Sequence, residues 1–408
     1  MRNILYLLLL PAFLLSSCNK ADSKKLSVGK RTIFCYMAGD NNSLSDETTA
    51  KIKAICNGFG GEGKLLIYRD YDSRTGHISS ATLSSVELTT DGIYKDVVLK
   101  RYGSENSASA EVVARSIKDA VEWAPAESYG LIVFSCGSGW LPTDQAELEE
   151  SYDDDDDDDS NDIRPHLSTG TAGSILQDRH NKLSMTDFAG AIPPGLFDFI
   201  VLEAHHMGDI ETLYELSDKT DRLLASVTEI LSPGFTDIYP DALKYLYEES
   251  PDLEAFAKAY MARWRKEPTY PFATISLYDC TKVQNLVNAL KAPLAREGEN
   301  MYLYIDGVQR FGRKDKNSEL DYSKCFLDLC DYVKQFATDK EMDNIQKALD
   351  NVIIYKDHTK SFGLPKEDGF DIKTFCGLSI YPEPQNYVVI NTDHHYSTKF
   401  GQYIWSAN

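Results

Sequence analysis

The sequence lacks the basic patches that a nucleic-acid partner requires. It contains 63 acidic against 42 basic residues and has a net charge of −21. Because phosphate binding needs clustered Lys and Arg side chains, we expect no nucleic acid among the partners. The apolar share of 42% and the charged share of 26% are ordinary for a folded domain. The 408 residues can bury one large core or two smaller ones.

Beyond its N-terminal segment, the sequence also lacks any apolar stretch long enough for a transmembrane helix. The opening MRNILYLLLLPAFLLSSC is a short apolar run that ends in LSSC, at Cys18. This ending resembles a bacterial lipobox, in which the cysteine is lipidated and becomes the first mature residue. We therefore expect residues 1–18 to be a lipoprotein signal peptide and residues 19–30 a polar tether, with an ordinary signal peptide as the alternative.

Acyl chains on Cys18 would then be the only attachment to a membrane. The expected location is the bacterial cell envelope, in the outer membrane if the cell is Gram-negative, facing either the periplasm or the exterior.

CxxC spacing is absent as well, so neither a zinc ribbon nor a thioredoxin-type redox site is indicated. Seven cysteines remain besides Cys18, and their odd number leaves at least one thiol without a disulfide partner. Most of them are expected to be small apolar core residues. Cys136 differs because it follows directly on the apolar run YGLIVF.

Short apolar runs alternate with helical patterns over the first part of the chain. Such runs, without polar alternation, are typical of parallel strands covered on both faces. The predicted strands are Thr32–Ala38, Lys64–Tyr68, Leu131–Ser135, Phe199–Ala204 and Leu223–Ser226. The predicted helices between them are Ser45–Asn57, Ala108–Trp123, Met185–Ala191 and Ile210–Lys219. The pattern predicts an α/β fold with a mainly parallel central sheet.

An acidic run, Asp153–Asp159, interrupts this pattern. Self-repulsion should keep it extended, so we interpret residues 146–171 as an inserted surface loop. A calcium site there is conceivable, but the ligand spacing of an EF-hand is absent, and we predict no cofactor. We assign residues 31–298 to the core and residues 299–408 to a helical C-terminal part, which includes a predicted helix at Cys325–Ala337 and a closing strand.

Cys136 and His205 each come directly after a predicted strand. In open α/β sheets, active sites gather at the carboxyl ends of strands, and neighbouring strands lie about 4.8 Å apart. A paired imidazole lowers the pKa of a thiol by several units and so supplies a thiolate nucleophile. A single cysteine near the end of a strand is usually a core residue, and a single histidine is usually a hydrogen-bonded structural group. Together, with glycines beside each, they favour one shared pocket.

Several ordered segments resemble the clostripain family of cysteine peptidases, a branch of the caspase-like fold. They are IFCYMAGDNNSL, YGLIVFSCGSGW, SILQD, FDFIVLEAHHMGDIETLYEL and ASVTEILSPGF, and CGLSIYPEPQNY resembles the family's closing strand. The match runs from about Thr32 to about Ser232. The resemblance implies a three-layer α/β/α sandwich, a peptide or protein as substrate or ligand, and a monomer.

The resemblance also implies residue roles, but with two residue types exchanged. The family has its catalytic histidine at position 136, in an HGxGW context, and its nucleophilic cysteine at position 205, in a DACxMG context. Here Cys136 and His205 stand in the opposite positions. Glu203 replaces an aspartate that resembles the group selecting Arg or Lys in the substrate. The implied oxyanion hole consists of the backbone N–H groups of Gly137 and residue 205.

Three hypotheses follow for this pocket. The first is a weakly active or non-catalytic relative that keeps a groove for a peptide or protein, or only a vestigial pocket. The second is an active Arg- or Lys-directed endopeptidase with Cys136 as nucleophile and His205 as general base. The third is a metal site that adds His206 or Glu203 to this pair; it is the weakest, because consecutive residues 205 and 206 normally point apart.

The exchange itself favours the first hypothesis. Oxyanion-hole donors must lie about 2.7–3.1 Å from the oxyanion, and a displacement of about 1 Å can cost about a hundredfold in rate. Family members also mature by self-cleavage after a basic residue between the two positions. Here that interval is rich in acidic residues and holds only Arg164, Arg179 and Lys182 as basic residues, which favours an uncut chain.

Overall fold

The computed structural model describes most of the chain beyond the N-terminal segment. The described residues are 28–39, 44–71, 80–139, 173–179, 181–297, 307–312, 326–363, 369–381 and 397–405. The predicted signal peptide with Cys18 and the acidic loop 146–171 lie outside the described residues. The last two residues of the predicted tether already belong to the first strand.

The centre of the fold is a nine-stranded sheet. The strands of the chain are β1 (Gly29–Gly39), β2 (Lys64–Tyr71), β3 (Ala81–Leu88), β4 (Tyr94–Gly103), β5 (Ala126–Phe134), β6 (Ser174–Asp178), β7 (Asn181–Ser184), β8 (Phe197–Glu203), β9 (Thr220–Ala225), β10 (Thr274–Asp279), β11 (Leu327–Asp328), β12 (Ile353–His358), β13 (Ser361–Phe362), β14 (Phe370–Asp371) and β15 (Ser379–Ile380). In the large sheet their order is β12-β10-β9-β8-β5-β1-β2-β3-β4.

The five central strands of this sheet, β2, β1, β5, β8 and β9, run parallel. Antiparallel strands complete both edges: β3 and β4 beyond β2, and β10 and β12 beyond β9. The predicted α/β fold with a mainly parallel central sheet is therefore confirmed. The sequence predicts a strand at Phe272–Tyr278, which is β10 in the structure, but not the antiparallel pairing at the edges or the strands β3, β4 and β12.

The central strands are apolar on both faces because both faces are covered. In β1, Phe34 and Tyr36 pack into one core cluster, whereas Ile33 and Cys35 pack into another. Successive side chains of a strand point to opposite faces, so the two clusters are the two layers of core between sheet and helices. The chain thus has three layers, with the sheet in the middle.

The helices lie on these two faces. They are α1 (Leu44–Gly58), α2 (Ala110–Trp123), α3 (Met185–Ala191), α4 (Ile210–Leu216), α5 (Tyr239–Ala242), α6 (Leu253–Arg265), α7 (Val283–Glu297), α8 (Leu329–Val333), α9 (Asp339–Val352) and α10 (Lys399–Trp405), with 3-10 helices at Leu243–Tyr247 and Cys280–Lys282. Helices α1, α5 and α6 share the core cluster of Cys35. Within the described ranges, no helix has the length and apolarity needed to cross a membrane.

The C-terminal part is joined to the core through the sheet. Strand β12 pairs antiparallel with β10, and β11 pairs with β15. The helix predicted at Cys325–Ala337 is shorter in the structure, because Leu327–Asp328 form β11 and the Asp328 side chain accepts a hydrogen bond from the Asp331 N–H at the start of α8. Among the described residues, six cysteines are present, and all are free thiols.

Candidate functional site

Strands β5 and β8 are neighbours in the parallel part of the sheet, and their carboxyl ends meet. Phe134, the last residue of β5, pairs with Glu203, the last residue of β8. Cys136 and His205 each lie two residues beyond this pair. Both side chains line one pocket with a volume of about 350 Å³. The structure thus brings the two predicted residues to the same cleft.

The turns that carry these residues pack directly on each other. A Cβ atom at Gly137 would lie 2.7 Å from the Met207 Cε and 3.2 Å from the His205 carbonyl oxygen. Any larger residue at this position would press on the 204–207 turn, so glycine favours the close approach of the two turns. The turn after Cys136 is held further by Ser138, whose N–H donates to the Ser174 carbonyl at 2.9 Å.

The pocket has an apolar wall and an acidic floor and rim. The apolar wall includes Leu44, Phe134, Ala204, Ile230 and Leu231. The acidic side chains are Glu47, Glu203 and Glu229. The arrangement suits a peptide side chain of limited size, since ligand pockets combine apolar walls with a few fixed polar groups.

The Cys136 thiol is partly buried, and its surroundings do not favour a thiolate. Burial raises the pKa of Cys136, the Lys182 ammonium lowers it and the Glu229 carboxylate raises it, and the balance is a pKa above the usual value. A nucleophilic thiol needs the opposite shift. At neutral pH the side chain is therefore mostly a neutral thiol.

The His205 ring is oriented by a backbone amide. The Ile230 N–H donates a hydrogen bond to His205 Nδ1 at 3.0 Å. A donor that faces Nδ1 requires a lone pair there, so the neutral ring carries its proton on Nε2. Such a ring has no free basic nitrogen for a neighbouring thiol unless the contact with Ile230 breaks.

The second imidazole, His206, does not face the pocket. Its Nδ1 lies 3.0 Å from the Val227 carbonyl oxygen, and its ring stacks on Phe326 at a centroid distance of 3.9 Å. His206 is also buried and has a φ of 58°. In the described part of the chain, no group of three or more His, Cys, Asp or Glu side chains is arranged to hold a metal ion.

Glu203 lines the pocket but is already paired with a cation from helix α1. Lys51 Nζ lies 2.6 Å from Glu203 Oε1, and their side chains are 0% and 1% exposed. The carboxylate also accepts hydrogen bonds from the Phe235 N–H and the Tyr239 hydroxyl. Burial raises the pKa of Glu203, and the Lys51 ammonium lowers it.

Gly137, which the family resemblance places in the oxyanion hole, is buried next to Cys136 and is not among the residues that line the pocket. Among the described residues, the Gly137 N–H donates to no carbonyl or side chain. The assignment of this N–H group to an oxyanion hole stays a prediction.

Three participants were not singled out from the sequence: Lys51, Glu229 and Ile230. The sequence could have predicted a buried role for Lys51, because this residue lies on the same side of α1 as Thr48, Ile52 and Ile55, and that side is buried. A lysine on the buried stripe of an amphipathic helix needs a partner. Glu229 and Ile230 fall within ASVTEILSPGF, but nothing in their local pattern predicts the contact with His205.

The fold and the pocket define a class: a caspase-like three-layer α/β protein with a thiol and an imidazole at adjacent parallel strand ends. The model of the clostripain family matches residues 35–403. The chain therefore belongs to the clostripain family and is a homologue of its cysteine peptidases. No curated protein sequence matches the chain significantly.

Solved structures share this fold along nearly the whole chain. An inactive zymogen C11 protease from Parabacteroides distasonis has 24% identity and a TM-score of 0.73, over 93% of this chain and 99% of that one. A secreted C11 cysteine protease from Bacteroides thetaiotaomicron, in complex with an irreversible peptide inhibitor, has 21% identity and a TM-score of 0.68, over 92% and 98%. At these identities the likeness shows the fold alone.

Proposed function

We propose that this chain is a non-catalytic or very weakly active clostripain homologue whose Cys136–His205 pocket binds a peptide segment without cutting it. The observation that carries the proposal is the hydrogen bond from the Ile230 N–H to His205 Nδ1. Cysteine peptidase chemistry needs a base that removes the thiol proton. With its Nδ1 occupied and its Nε2 protonated, the His205 ring does not offer that base.

The thiol adds to the same argument. Its pKa is raised, and the acidic Glu229 at the pocket rim raises it further. The Cys136 thiol is mostly protonated, and the His205 ring is held in the tautomer that cannot accept the thiol proton. Both features oppose catalysis. The pocket still has an apolar wall and carboxylates at its floor and rim, an arrangement that suits a peptide side chain.

The alternative is an Arg- or Lys-directed endopeptidase with Cys136 as nucleophile and His205 as general base. The Gly137 N–H supports it, because this donor has no acceptor among the described residues and could stabilise an oxyanion. Under this alternative, ligand binding would have to shift the 229–231 segment away from the His205 ring.

The proposal includes a location. The LSSC ending at Cys18 supports a lipid anchor on a monomer in the bacterial cell envelope. One similar structure is that of a secreted protease, and a secreted relative is compatible with export of this chain.

The test separates binding from cleavage. The purified protein is screened against a fluorescent peptide library by polarisation, and bound peptides are then checked by mass spectrometry. Leu231→Trp, which fills the pocket wall, should abolish binding, whereas Leu88→Trp, at an exposed position on β3, should leave it unchanged. Bound peptides should be recovered intact.

A second arm addresses the active alternative. Lys- and Arg-directed peptidyl ketones that alkylate catalytic thiols are incubated with the reduced protein, and the intact mass is recorded. The wild type should match Cys136→Ala and acquire no adduct. An adduct confined to Cys136, together with peptide cleavage, would instead establish an active peptidase. If no peptide of the library binds, the proposed binding function fails and the pocket is vestigial.

A further inference from the structure

The floor of the pocket contains a closed ion pair. Lys51 comes from helix α1, and Glu203 ends strand β8, 152 residues further along the chain. Glu203 lines the pocket, and the ammonium reaches it from the α1 side. Both side chains are withdrawn from solvent, and a second carboxylate, Glu47 of α1, lies farther away at 3.8 Å from Lys51 Nζ. The charge of Glu203 is balanced by Lys51 and by its hydrogen bonds.

Every hydrogen-bond donor of the ammonium group is used. Besides Glu203, Lys51 Nζ donates to the Thr236 hydroxyl at 2.8 Å and to the Pro233 carbonyl at 3.4 Å. An ammonium group has three donors and no acceptor. Lys51 Nζ also lies 4.4 Å from the Phe134 ring centroid, a distance at which a cation is attracted by the ring face.

The carboxylate of Glu203 is occupied to the same degree. Its Oε1 accepts from Lys51 and from the Phe235 N–H at 2.6 Å, and its Oε2 accepts from the Tyr239 hydroxyl at 3.0 Å. Gly234 packs against it so closely that a Cβ atom there would lie 2.2 Å from Oε1. A further cation brought by a ligand would have to displace Lys51.

We propose that Lys51 is a specificity-determining residue, an internal cation that occupies Glu203 and so excludes basic ligand side chains from the pocket floor. The ligand side chain that reaches Glu203 at the pocket floor is then uncharged. The preference for an uncharged ligand rests on the proposed function, since it assumes that a peptide binds in this pocket. The occupation of Glu203 does not, and it can be tested without any peptide.

The first experiment removes the Lys51 ammonium group and then supplies a soluble ammonium ion in its place. Lys51→Ala removes the chain from Cγ to Nζ and leaves Glu203 buried without its partner. We expect the melting temperature to fall by about 5–10 °C, because a buried charge that loses its partner is strongly destabilising. n-Propylammonium, which replaces the missing atoms, should restore it saturably. 1-Propanol should not restore it, and the wild type should not respond to either.

A charge-free control accompanies this variant. In Lys51→Met combined with Glu203→Gln, both positions keep their size and lose their charge. This double variant should fold and show no response to n-propylammonium, which ties the rescue to the carboxylate. A Lys51→Ala protein whose melting temperature is unaffected by n-propylammonium would overturn the proposal.

The second experiment starts with the wild-type protein and then repeats the comparison in Lys51→Ala. Two peptides that differ only in lysine or norleucine at the residue seated in the pocket are compared on the wild type. Norleucine should bind at least as well as lysine. In Lys51→Ala the ratio should shift towards lysine by about ten- to a hundredfold, the range of a charge-assisted hydrogen bond.

A wild type that already prefers lysine by tenfold or more would also overturn the proposal. If neither peptide binds at all, the proposed function fails, while the n-propylammonium response of Lys51→Ala still decides the role of Lys51.

Discussion

The ionisation of Cys136 gives the sharpest test of whether this pocket can attack a bond. The perturbation is pH, and the reporter is alkylation of the Cys136 thiol, because only the thiolate reacts. A thiol with an ordinary pKa of about 8.5 is about 3% ionised at pH 7. Burial and the Glu229 carboxylate raise the pKa of Cys136 above its usual value, so the ionised fraction should be smaller still.

A working thiol–imidazole pair behaves very differently. Its thiol pKa can fall to about 3–4, so the thiolate is almost fully formed at pH 6 and the alkylation rate no longer rises with pH. For Cys136 we expect a rate that climbs about tenfold per pH unit up to at least pH 8. At pH 7 the two cases differ by at least about thirtyfold in the ionised fraction.

The assay is iodoacetamide alkylation of the reduced protein between pH 5 and pH 9.5, quantified by peptide mapping with N-acetylcysteine as the reference. Cys136→Ala assigns the peptide, and His205→Ala reports on the ring. We expect His205→Ala to leave the profile in place, since the ring is held by the Ile230 N–H. A flat, fast profile between pH 5 and pH 8 that collapses in His205→Ala would refute the reasoning.

Three further predictions concern single side chains. Glu229→Gln should lower the thiol pKa and speed alkylation of Cys136 at pH 7, and an unchanged rate would contradict the assigned role of this carboxylate. Burial raises the pKa of Asp209 to about 6, and the pKa of its buried neighbour Glu211 is raised as well, so the folded state favours the protonated carboxyl groups. The stability of the fold should therefore fall as pH rises from the unfolded pKa of about 3.9 through the folded pKa of Asp209. Asp209→Asn keeps an amide oxygen for the cap of α4, so its stability relative to the wild type should rise between pH 4 and pH 7.5 in urea unfolding. An equal difference at both pH values would argue against this. Cys18→Ala should move the expressed protein from the detergent phase to the aqueous phase of a Triton X-114 partition, and retention in the detergent phase would rule out the lipid anchor.

The parallel core could be predicted from the sequence because its strands are continuous apolar runs. The runs ending at Ser135 and Ala204 predicted the ends of β5 and β8 to within one residue. Since the carboxyl ends of parallel neighbours meet, the same runs also placed Cys136 and His205 in one region. The apolar run Phe272–Tyr278 likewise predicted β10. The other edge strands escaped prediction because they are more polar: β4 alternates half-buried and exposed residues through charged positions such as Lys95 and Asp96.

The electrostatics of the pocket could not be predicted in the same way, because they depend on contacts between distant segments. Lys51 meets Glu203 only after α1 has packed on the sheet. The tautomer of His205 depends on one N–H group that projects from the segment after β9. A sequence motif predicts which residue types lie near each other, but it does not predict which imidazole nitrogen accepts a hydrogen bond.

The edge strand β12 ties residues far apart in the sequence into a single sheet. It is the only partner of β10 on that side within the described chain, and it follows α7 and α9. A protein cut after residue 298 would therefore expose the backbone N–H and C=O groups of β10 along a free edge, where other chains can add. During synthesis this edge of β10 stays unpaired until residues 353–358 have been made.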